Sequence, residues 1–345
     1  MYSSLIQQGI KNGIYLCINT LIPSLFPFMI LASFMANSGV FEKPNPIFSK
    51  ITEKLFYLPG YTYSAIILSF IGGYPIGAKM VNELYEKNKI DDEQLNRMMC
   101  FCTCSGPAFA ISLLGSTLLR NKAIGIMIFF SQLISGILVG IICGVKAKLS
   151  KKIFYFSKNN ALGEKTNMQE ALINAVDSAC KSIIQVCAII ILFVTIIHAA
   201  NKFKMPPLLP DFLKMNFIDP NIKMIAISIL EITYGCIYAA SNNVSYQMIA
   251  FAVAYGGLCT HLQITSILTK TKFKYTKFFL FRVINGLLSS LIFYLILLFS
   301  KTVVPTFSTI NKDQLAIESS TTPAGSLALI MLCIYFMIDI KAHKK

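Results

Sequence analysis

Long uncharged runs of mostly apolar residues alternate with short polar and basic connections along the chain. The runs cover residues 14–41, 55–78, 98–119, 123–145, 182–201, 232–269, 283–300 and 319–338. Each is about as long as the roughly 17–25 residues that a helix needs to cross the hydrocarbon core of a bilayer, or longer. The pattern predicts an all-α polytopic membrane protein whose main partner is the lipid bilayer.

Composition agrees with this prediction. The 345-residue chain is 55% hydrophobic and 14% charged, and its mean hydropathy is +0.62. Soluble domains have about 25% charged residues. The first run, 14–41, is too long for the apolar region of a secretory signal peptide and has no clear small-residue cleavage site. We therefore expect it to be a membrane segment.

The formal net charge of +15 by itself would allow nucleic acid as a partner. The basic residues, however, are spread over short connections between apolar runs. In that setting lysine and arginine follow the positive-inside rule and meet anionic lipid headgroups. We therefore expect no binding of nucleic acid.

Ten cysteines, most of them inside apolar runs, raise the question of a metal or redox site. They form no CxxC pair, and with three histidines they give no Cys/His zinc pattern. In the stretch CFCTCSGPAFAISLLG, residues 100–115, a continuous helix would place Cys100 and Cys104 on one face and Cys102 on another. We interpret these cysteines as small packing residues and predict no metal and no bound cofactor.

Pro107 interrupts this stretch. Proline has no amide hydrogen, so the carbonyl of Thr103 loses its helical partner. Gly256 and Gly257 stand at the matching place in the second half of the chain. Within a bilayer such carbonyls are tolerated only where protein, water, an ion or a substrate completes them. The breaks indicate either a transport site near mid-depth or kinks that serve only packing.

The chain also repeats itself. Residues 98–120 align without a gap with residues 248–270, which places Gly106 on Gly256. Repeats of this kind are typical of secondary transporters. The predicted domains are a first membrane repeat (1–146), a basic cytoplasmic linker (147–170), a second membrane repeat (171–300), and an external loop with a last transmembrane helix and a basic cytoplasmic tail (301–345).

Basic segments predict the orientation. Segments 146–165, 270–282 and 341–345 are rich in lysine, and we place all three in the cytoplasm. Two cytoplasmic segments must be separated by an even number of membrane crossings. Three apolar segments lie between 146–165 and 270–282, so one of the three cannot cross the membrane. Segment 222–245 is interrupted by polar residues and is predicted to be a re-entrant hairpin, with 61–86 as its counterpart.

Each repeat then contains a re-entrant hairpin, a broken helix and an odd number of crossings. An odd number inverts the second repeat relative to the first. The protein is predicted to be a multi-pass protein of the cell membrane with its N-terminus outside and its C-terminus in the cytoplasm.

The predicted substrate or ion pathway consists of the hairpin breaks, the helix breaks and the polar residues beside them. Its residues are Gly72, Gly73, Tyr74, Pro75, Lys79, Thr103, Cys104, Ser105, Gly106, Pro107, Glu231, Thr233, Gly235, Gly256, Gly257, His261 and Gln263.

Glu231 stands alone in a run that is otherwise uncharged from 224 to 269. An uncompensated carboxylate there would cost several kcal/mol, so we expect it to be protonated, paired or facing a water-filled cavity. Glu231 has two interpretations. In the first it binds substrate or carries a coupling proton, and in the second it forms a structural salt bridge with Lys181 or Lys79.

Two other pairs have the spacing of helical neighbours. Lys79 and Glu83 are expected to pair on one helix face, and Asp177 and Lys181 are interpreted as a structural pair. His261 has two interpretations, a proton relay or a hydrogen bond between helices.

Five stretches of the chain resemble a known family. They are PSLFPFMILASFM (23–35), GGYPIGAKMVNELY (72–85), CSGPAF (104–109), LEITYG (230–235) and GGLCTHLQI (256–264). Over about residues 10–300 they resemble the YlbJ-type sporulation integral membrane proteins, of the wider nucleoside-recognition, or Gate, domain families. The resemblance implies a role in endospore formation, in particular in building the spore cortex, and Gate-like repeats.

The order of hairpin, broken helix and straight helix is also similar to each inverted half of concentrative nucleoside transporters. The family pattern leads us to expect asparagine or another small polar residue at two positions where this chain has Cys102 and Cys104. The departure argues against a cation site built from side-chain amides.

Two functions are open at this point. The first is a permease for a small solute, with a nucleoside-like solute as a candidate and H⁺ or Na⁺ as coupling ion. The second is a non-transporting membrane scaffold in spore-envelope assembly. An intramembrane enzyme is not expected, because the apolar runs have no HExxH, GxSxG or paired carboxylates. An oligomer is compatible with both functions.

Overall fold

The computed structural model describes residues 2–37, 46–150, 168–202, 219–242 and 244–300. Most of these residues are helical, and no β-strand occurs among them. The helices are α1 (Tyr2–Leu16), α2 (Ile22–Asn37), α3 (Pro46–Phe56), α4 (Tyr63–Gly72), α5 (Tyr74–Glu86), α6 (Asp92–Met99), α7 (Lys122–Leu149), α8 (Met168–Lys202), α9 (Pro220–Leu230), α10 (Ile232–Ser241), α11 (Tyr246–Tyr255), α12 (Leu258–Ile267) and α13 (Tyr275–Phe299). A π-helical segment, Ala108–Leu118, precedes α7.

Four helical segments of the described residues are long and apolar enough to cross a membrane. They are Lys122–Leu149, Met168–Ile196, Tyr246–Ile267 and Tyr275–Phe299. A fifth candidate is α3 together with Gly60–Gly72, a pair bent by 98°. The prediction of an all-α polytopic membrane protein is confirmed at this level.

A π-helical turn, Cys17–Leu21, joins α1 to α2 directly before Pro23. The N–H of Ile22 donates to the carbonyl of Cys17, five residues earlier. Because proline donates no amide hydrogen, the hydrogen-bond ladder is interrupted here, and the wider turn carries the helix past the interruption.

Helices α7 and α13 lie side by side and antiparallel. The hydroxyls of Ser131 and Ser289 are 3.1 Å apart, and the hydroxyl of Ser135 donates to the carbonyl of Asn285 at 2.9 Å. Residue numbers thus rise along α7 as they fall along α13. All four side chains are buried, and small polar residues of this kind hold helices together in lipid.

Helix α8 packs against α1 and α2. It runs antiparallel to α1, because Gly13 lies against Ile191 and Cys17 against Cys187. The sulfur of Cys17 lies 3.8 Å from the carbonyl of Cys187. A Cβ at Gly13 would lie 2.9 Å from the Cα of Ile191, so only glycine allows this close approach.

Two shorter helix pairs are each interrupted by one residue. Helices α4 and α5 pack on each other around Gly73, and α9 and α10 do so around Glu231. The four arms have 10 to 13 residues, which is about 15–20 Å of helix and less than the roughly 30 Å of a bilayer core. Helix breaks thus occur within segments 61–86 and 222–245, and the re-entrant path of the two segments stays a prediction.

Side chains also fix where α6 and α7 begin. The Asp91 carboxylate accepts a hydrogen bond from the N–H of Gln94, and the Gln94 side chain accepts one from the N–H of Asp91. This reciprocal pair caps α6. The Asn121 side chain caps α7 by accepting from the N–H of Ile124.

Several predictions concern residues that the structure does not describe. The linker 147–170 is described only up to residue 150 and from residue 168. Region 301–345, with its predicted loop, last helix and basic tail, lies outside the described residues, and these stay predictions. All described helices belong to one unit of the chain.

Candidate functional site

The first interruption lies between α6 and the π-helical segment. Residues 100–106 are not helical, so the predicted common helix face of Cys100 and Cys104 is wrong. A proline disfavours helical backbone at the residue before it. Helix α6, however, ends at Met99, which is earlier than Pro107 alone requires. Helices α7 and α13 supply hydrogen-bond partners for this non-helical backbone.

Gln132 of α7 pairs with the backbone of Ser105. Its Oε1 accepts from the N–H of Ser105 at 3.1 Å, and its Nε2 donates to the carbonyl at 2.9 Å and to the hydroxyl at 2.6 Å. Both side chains are buried. The amide thus satisfies polar groups that would otherwise be costly in the apolar interior.

Arg282 of α13 joins the first interruption to the second. Its guanidinium donates to the carbonyl of Thr103 in the first break and to the carbonyls of Ala254 and Tyr255 at the end of α11. The distance from Nε to the Tyr255 oxygen is 3.0 Å, and Arg282 is 1% exposed. The Thr103 carbonyl, which Pro107 deprives of its helical partner, is therefore completed by a protein side chain.

Arg282 lies buried inside α13, unlike the exposed Lys272 and Lys274 of segment 270–282, and the cytoplasmic placement of that segment stays a prediction. Oriented dipoles balance the charge of Arg282, because the last carbonyls of α11 carry the negative end of that helix dipole. The guanidinium carbon also lies 5.4 Å from the centre of the Tyr74 ring, a cation–π geometry. No carboxylate of the described residues forms an ion pair with Arg282.

The tip of the first hairpin touches both interruptions. The Tyr74 hydroxyl donates to the carbonyl of Val253, and a Cβ at Gly256 would lie 3.5 Å from the Tyr74 ring. A Cβ at Gly73 would lie 2.8 Å from the backbone nitrogen of Gly106. Gly73 and Gly256 have φ of 88° and 82°, which side chains other than glycine rarely adopt. These predicted site residues are therefore brought together.

The remaining predicted residues of this hairpin shape its packing. Gly77 lies directly against the carbonyl of Cys102, where a Cβ would not fit, and Gly72 packs on Ile76. Pro75 stands in the first turn of α5, where its missing N–H removes no helical hydrogen bond. The sulfur of Cys104 lies 3.4 Å from the carbonyl of Ser69 in α4.

Glu231 caps the second hairpin helix. It is the non-helical residue between α9 and α10, and its Oε2 accepts from the N–H of Tyr234 at 2.7 Å. The side chain is 2% exposed, and its neighbour Thr233 is also buried. A carboxylate at a helix N-terminus is stabilised by the free N–H groups and by the helix dipole.

The second hairpin closes against the second interruption. A Cβ at Gly257 would lie 2.5 Å from the carbonyl oxygen of Ser228 and 3.1 Å from that of Leu230. Gly235 packs directly on the side chain of Ser228, which brings α10 close to α9.

The salt-bridge alternative for Glu231 is wrong. Lys181 pairs with Asp177 at 2.7 Å on an exposed face of α8, as predicted for that pair. The Nζ of Lys79 has no hydrogen-bond partner among the described residues. Glu231 is therefore held by helix N–H groups and not by a cation.

The predicted pair of Lys79 and Glu83 is also wrong. Lys79 is 7% exposed, and both its Nζ and the Oε2 of Glu83 are buried without a hydrogen-bond partner in the part of the chain that the structure describes. Helix α5 packs against α2, α6 and α12. In this packing the charged ends of the two side chains do not meet, although their spacing allows it.

His261 lies among aromatic rings beside the second interruption. Its Nε2 is 3.1 Å from the carbonyl of Tyr255, and the ring centroids of Tyr255 and Phe278 lie 5.1 Å and 5.3 Å from its own. Because a carbonyl only accepts, Nε2 carries the proton, and Nδ1 has no partner among the described residues. The hydrogen bond between helices is present, and the proton relay stays a prediction.

Gln263 contacts its own helix. Its Nε2 lies 3.4 Å from the sulfur of Cys259, and the side chain is buried.

The site is closed to solvent in this arrangement. The buried polar residues around the breaks are Thr103, Ser105, Gln132, Glu231, Thr233, His261, Gln263 and Arg282. Within the described residues, no group of three histidine, cysteine or acidic side chains could hold a metal ion. The arrangement provides a fixed cation, a capped carboxyl group and an imidazole, all buried.

Sequence reasoning missed Arg282 and Gln132 as site residues. Gln132 is a long polar side chain within the uncharged run 123–145, and Arg282 directly precedes the run 283–300. Isolated polar side chains in straight apolar helices were the available signal, because they must find partners inside the bundle.

No family model matches the chain, and no solved structure matches it. The chain is 23% identical over 303 residues to the sporulation integral membrane protein YlbJ of Bacillus subtilis (strain 168), and the alignment covers 81% of this chain and 74% of that protein. The relation to the nucleoside-recognition families stays a prediction. The chain is thus similar, over most of its length, to an integral membrane protein of sporulation.

Proposed function

We propose that the protein is an integral membrane protein of endospore formation and acts as a secondary-transporter-like permease for a small solute. The similarity to a sporulation integral membrane protein supports the first part. One observation carries the second part: two interrupted helices and a hairpin tip meet at the buried Arg282. Discontinuous helices that meet inside the bilayer form the substrate and ion sites of secondary transporters.

The order of the elements supports two inverted repeats. Helices α1–α2, the hairpin α4–α5, the interrupted α6 and the straight α7 recur as α8, α9–α10, α11–α12 and α13. The corresponding straight helices α7 and α13 are antiparallel, which is the relation that inversion requires. In addition, α5 contacts α12, and its counterpart α10 contacts the π-helical segment. In this proposal both short hairpins are re-entrant.

The positions of the basic residues support the proposed orientation. Lys146 at the end of α7 and Lys274 before α13 line one cavity, so both basic segments lie at the same end of the bundle. The positive-inside rule places that end in the cytoplasm.

The choice of coupling ion depends on which backbone carbonyls Arg282 already binds. In transporters with broken helices, unwound carbonyls and helix C-termini coordinate the coupling cation. Here the guanidinium already binds the carbonyls of Thr103 and Tyr255. We therefore favour H⁺ over Na⁺, with Glu231 as the group that carries the proton. The family resemblance makes a nucleoside-like solute the first candidate.

The packing of the first break favours a second candidate function. Gln132 and Arg282 occupy the polar groups of Thr103 and Ser105, as they would in a rigid structural element. In this alternative the protein is a non-transporting scaffold in spore-envelope assembly.

The test is uptake by proteoliposomes that contain the full chain, with a panel of nucleosides, bases and other small metabolites and an imposed pH gradient. Glu231→Gln and Pro107→Ala alter the site. Asp177→Asn, an exposed carboxylate on α8, is the matched control. We expect uptake of at least one solute that Glu231→Gln abolishes and Asp177→Asn preserves.

The same variants are expressed in Bacillus subtilis lacking YlbJ, and heat-resistant spores are counted. If spore formation is restored by the chain and by both site variants, while no solute is taken up, the permease is contradicted and the scaffold is favoured.

A further inference from the structure

A cavity of about 410 Å³ lies between α6, the end of α7 and the start of α13. Five cationic side chains and two carboxylates line it together with apolar Cys143, Ala147 and Phe281. The charged residues are Arg97, Lys146, Lys272, Lys274, Lys277, Asp92 and Glu93. Positive charge therefore predominates in a cavity with one apolar wall.

Arg97 has hydrogen-bond partners for only part of its guanidinium among the described residues. Its side chain is 6% exposed, and one guanidinium nitrogen donates to the carbonyl of Tyr57 at 2.8 Å. The Nε and the other terminal nitrogen are buried without a partner in the part of the chain that the structure describes. Buried N–H groups of a cation are costly to leave unsatisfied, so these donors indicate that an acceptor binds beside them.

The connection 270–274 is held in place over the cavity. The Asn96 side chain donates to the carbonyl of Lys272 at 3.0 Å and accepts from the N–H of Lys274 at 2.7 Å. The Asp92 carboxylate is occupied by Lys272 at 3.0 Å and by the Tyr85 hydroxyl at 2.7 Å. One carboxylate of the cavity is thus neutralised.

Three lysines are left to act on a ligand. Among the described residues, no ion pair engages Lys146, Lys274 or Lys277. Arginine forks and lysine charges are the groups that recognise phosphate.

We propose that this cavity binds a phosphate group, carried either by an anionic lipid headgroup or by a soluble phosphate. Its volume lies in the range of about 300–1,000 Å³ that is usual for ligand sites. Basic pockets between transmembrane helices on the cytoplasmic side bind the phosphates of lipid headgroups, with acyl chains along the apolar wall. None of the break residues 100–106, 256 and 257 lines this cavity, so the site does not depend on the permease.

The experiment measures the thermal unfolding midpoint of the full chain in a neutral detergent. Three additives are titrated: dioctanoyl phosphatidylglycerol, dioctanoyl phosphatidylcholine and inorganic phosphate. The test variants are Arg97→Gln and the triple change Lys146→Gln, Lys274→Gln and Lys277→Gln. The matched control replaces three lysines outside the cavity, Lys122→Gln, Lys148→Gln and Lys181→Gln.

We expect phosphatidylglycerol to raise the midpoint far more than phosphatidylcholine does in the wild type and the control. A midpoint raised by phosphatidylglycerol alone identifies a lipid headgroup, and one raised equally by inorganic phosphate identifies a soluble ligand. In the triple variant the concentration for half-maximal effect should rise by about tenfold or more, because hydrogen bonds to charged groups contribute about that factor.

The triple variant changes mostly exposed side chains, so it tests the site even if Arg97→Gln fails to fold. The proposal is overturned if neither phosphatidylglycerol nor inorganic phosphate raises the unfolding midpoint. It is also overturned if the triple variant responds to these additives as the control does.

Discussion

The guanidinium of Arg282 donates a hydrogen bond to the carbonyl of Thr103, although 179 residues of chain separate them. The same guanidinium donates to Ala254 and Tyr255 at the second interruption. One buried side chain therefore ties together two breaks in two different halves of the chain. The breaks and this arginine form one structural unit.

Replacing Arg282 should destabilise the fold strongly. Arg282→Gln leaves carbonyls of both breaks without a donor, and loss of one partner in a buried charged network costs about 3–5 kcal/mol. Arg282→Lys should recover only part of this, because an ammonium cannot span the three carbonyls as a fork does. The measurement is thermal unfolding in detergent, with the exposed Arg120→Gln as control. Wild-type stability of Arg282→Gln would contradict this role.

Gln132 and Ser105 should behave as a coupled pair. Gln132→Ala removes a donor and an acceptor that pair with the non-helical backbone at Ser105, at an expected cost of about 1–3 kcal/mol. Ser105→Ala removes the hydroxyl that accepts from Gln132. Residues in one hydrogen-bond network show coupling energies of about 0.5–3 kcal/mol in double-mutant cycles. Strict additivity of the two single changes would argue against the network.

Glycine substitutions should rank by backbone conformation and space. Gly256→Ala strains a backbone of positive φ that is almost restricted to glycine but leaves ordinary contact with Tyr74, so we expect a loss of about 1–3 kcal/mol. Gly73→Ala should lose more, because its Cβ would also meet the nitrogen of Gly106 at 2.8 Å. The helical Gly136, whose nearest neighbour is the flexible Phe70 ring at 3.3 Å, is the control and should lose least. Unfolding midpoints of the three variants test this order.

Substitutions at Glu231 should separate capping from chemistry. The side-chain oxygen of Glu231→Gln can still accept from the N–H of Tyr234, so the fold should be nearly as stable as wild type. Glu231→Ala loses the cap, at about 0.5–2 kcal/mol. If the carboxyl group carries a proton, both variants lose uptake although only the alanine variant loses stability. Equal destabilisation by both would show that the charge, and not the cap, holds the hairpin.

Labelling of introduced cysteines tests the orientation. Lys146→Cys and Lys274→Cys should react with a membrane-impermeant thiol reagent from the cytoplasmic side. Arg120→Cys should react from the outside, because the 28 residues of α7 span about 42 Å.

The background for this labelling should lack the half-buried Cys180 and Cys187, and Cys333, which lies outside the described residues. Reaction of positions 146 and 274 from opposite sides would contradict the inverted repeats.

The polytopic helical class and the places of the interruptions could be predicted from the sequence. Apolar runs long enough to cross a bilayer permit little but helices, since every backbone group must be satisfied within its own segment. Pro107, Gly73 and Gly256 mark where that requirement cannot be met by helix, because their effect on the backbone is local. The salt bridges were less predictable: the exposed pair of Asp177 and Lys181 forms, and the pair of the buried Lys79 with the partly buried Glu83 does not.

The sequence by itself thus determined the membrane class, the helical segments and their breaks, which depend on composition and on residues close in the chain. Only the tertiary structure decided what completes the breaks: Gln132 for Ser105, and Arg282 for Thr103, Ala254 and Tyr255. The physical reason is that a buried carbonyl accepts from whichever donor the packed helices bring within about 3 Å. That donor is chosen by the antiparallel pairing of α7 and α13, which no local pattern specifies.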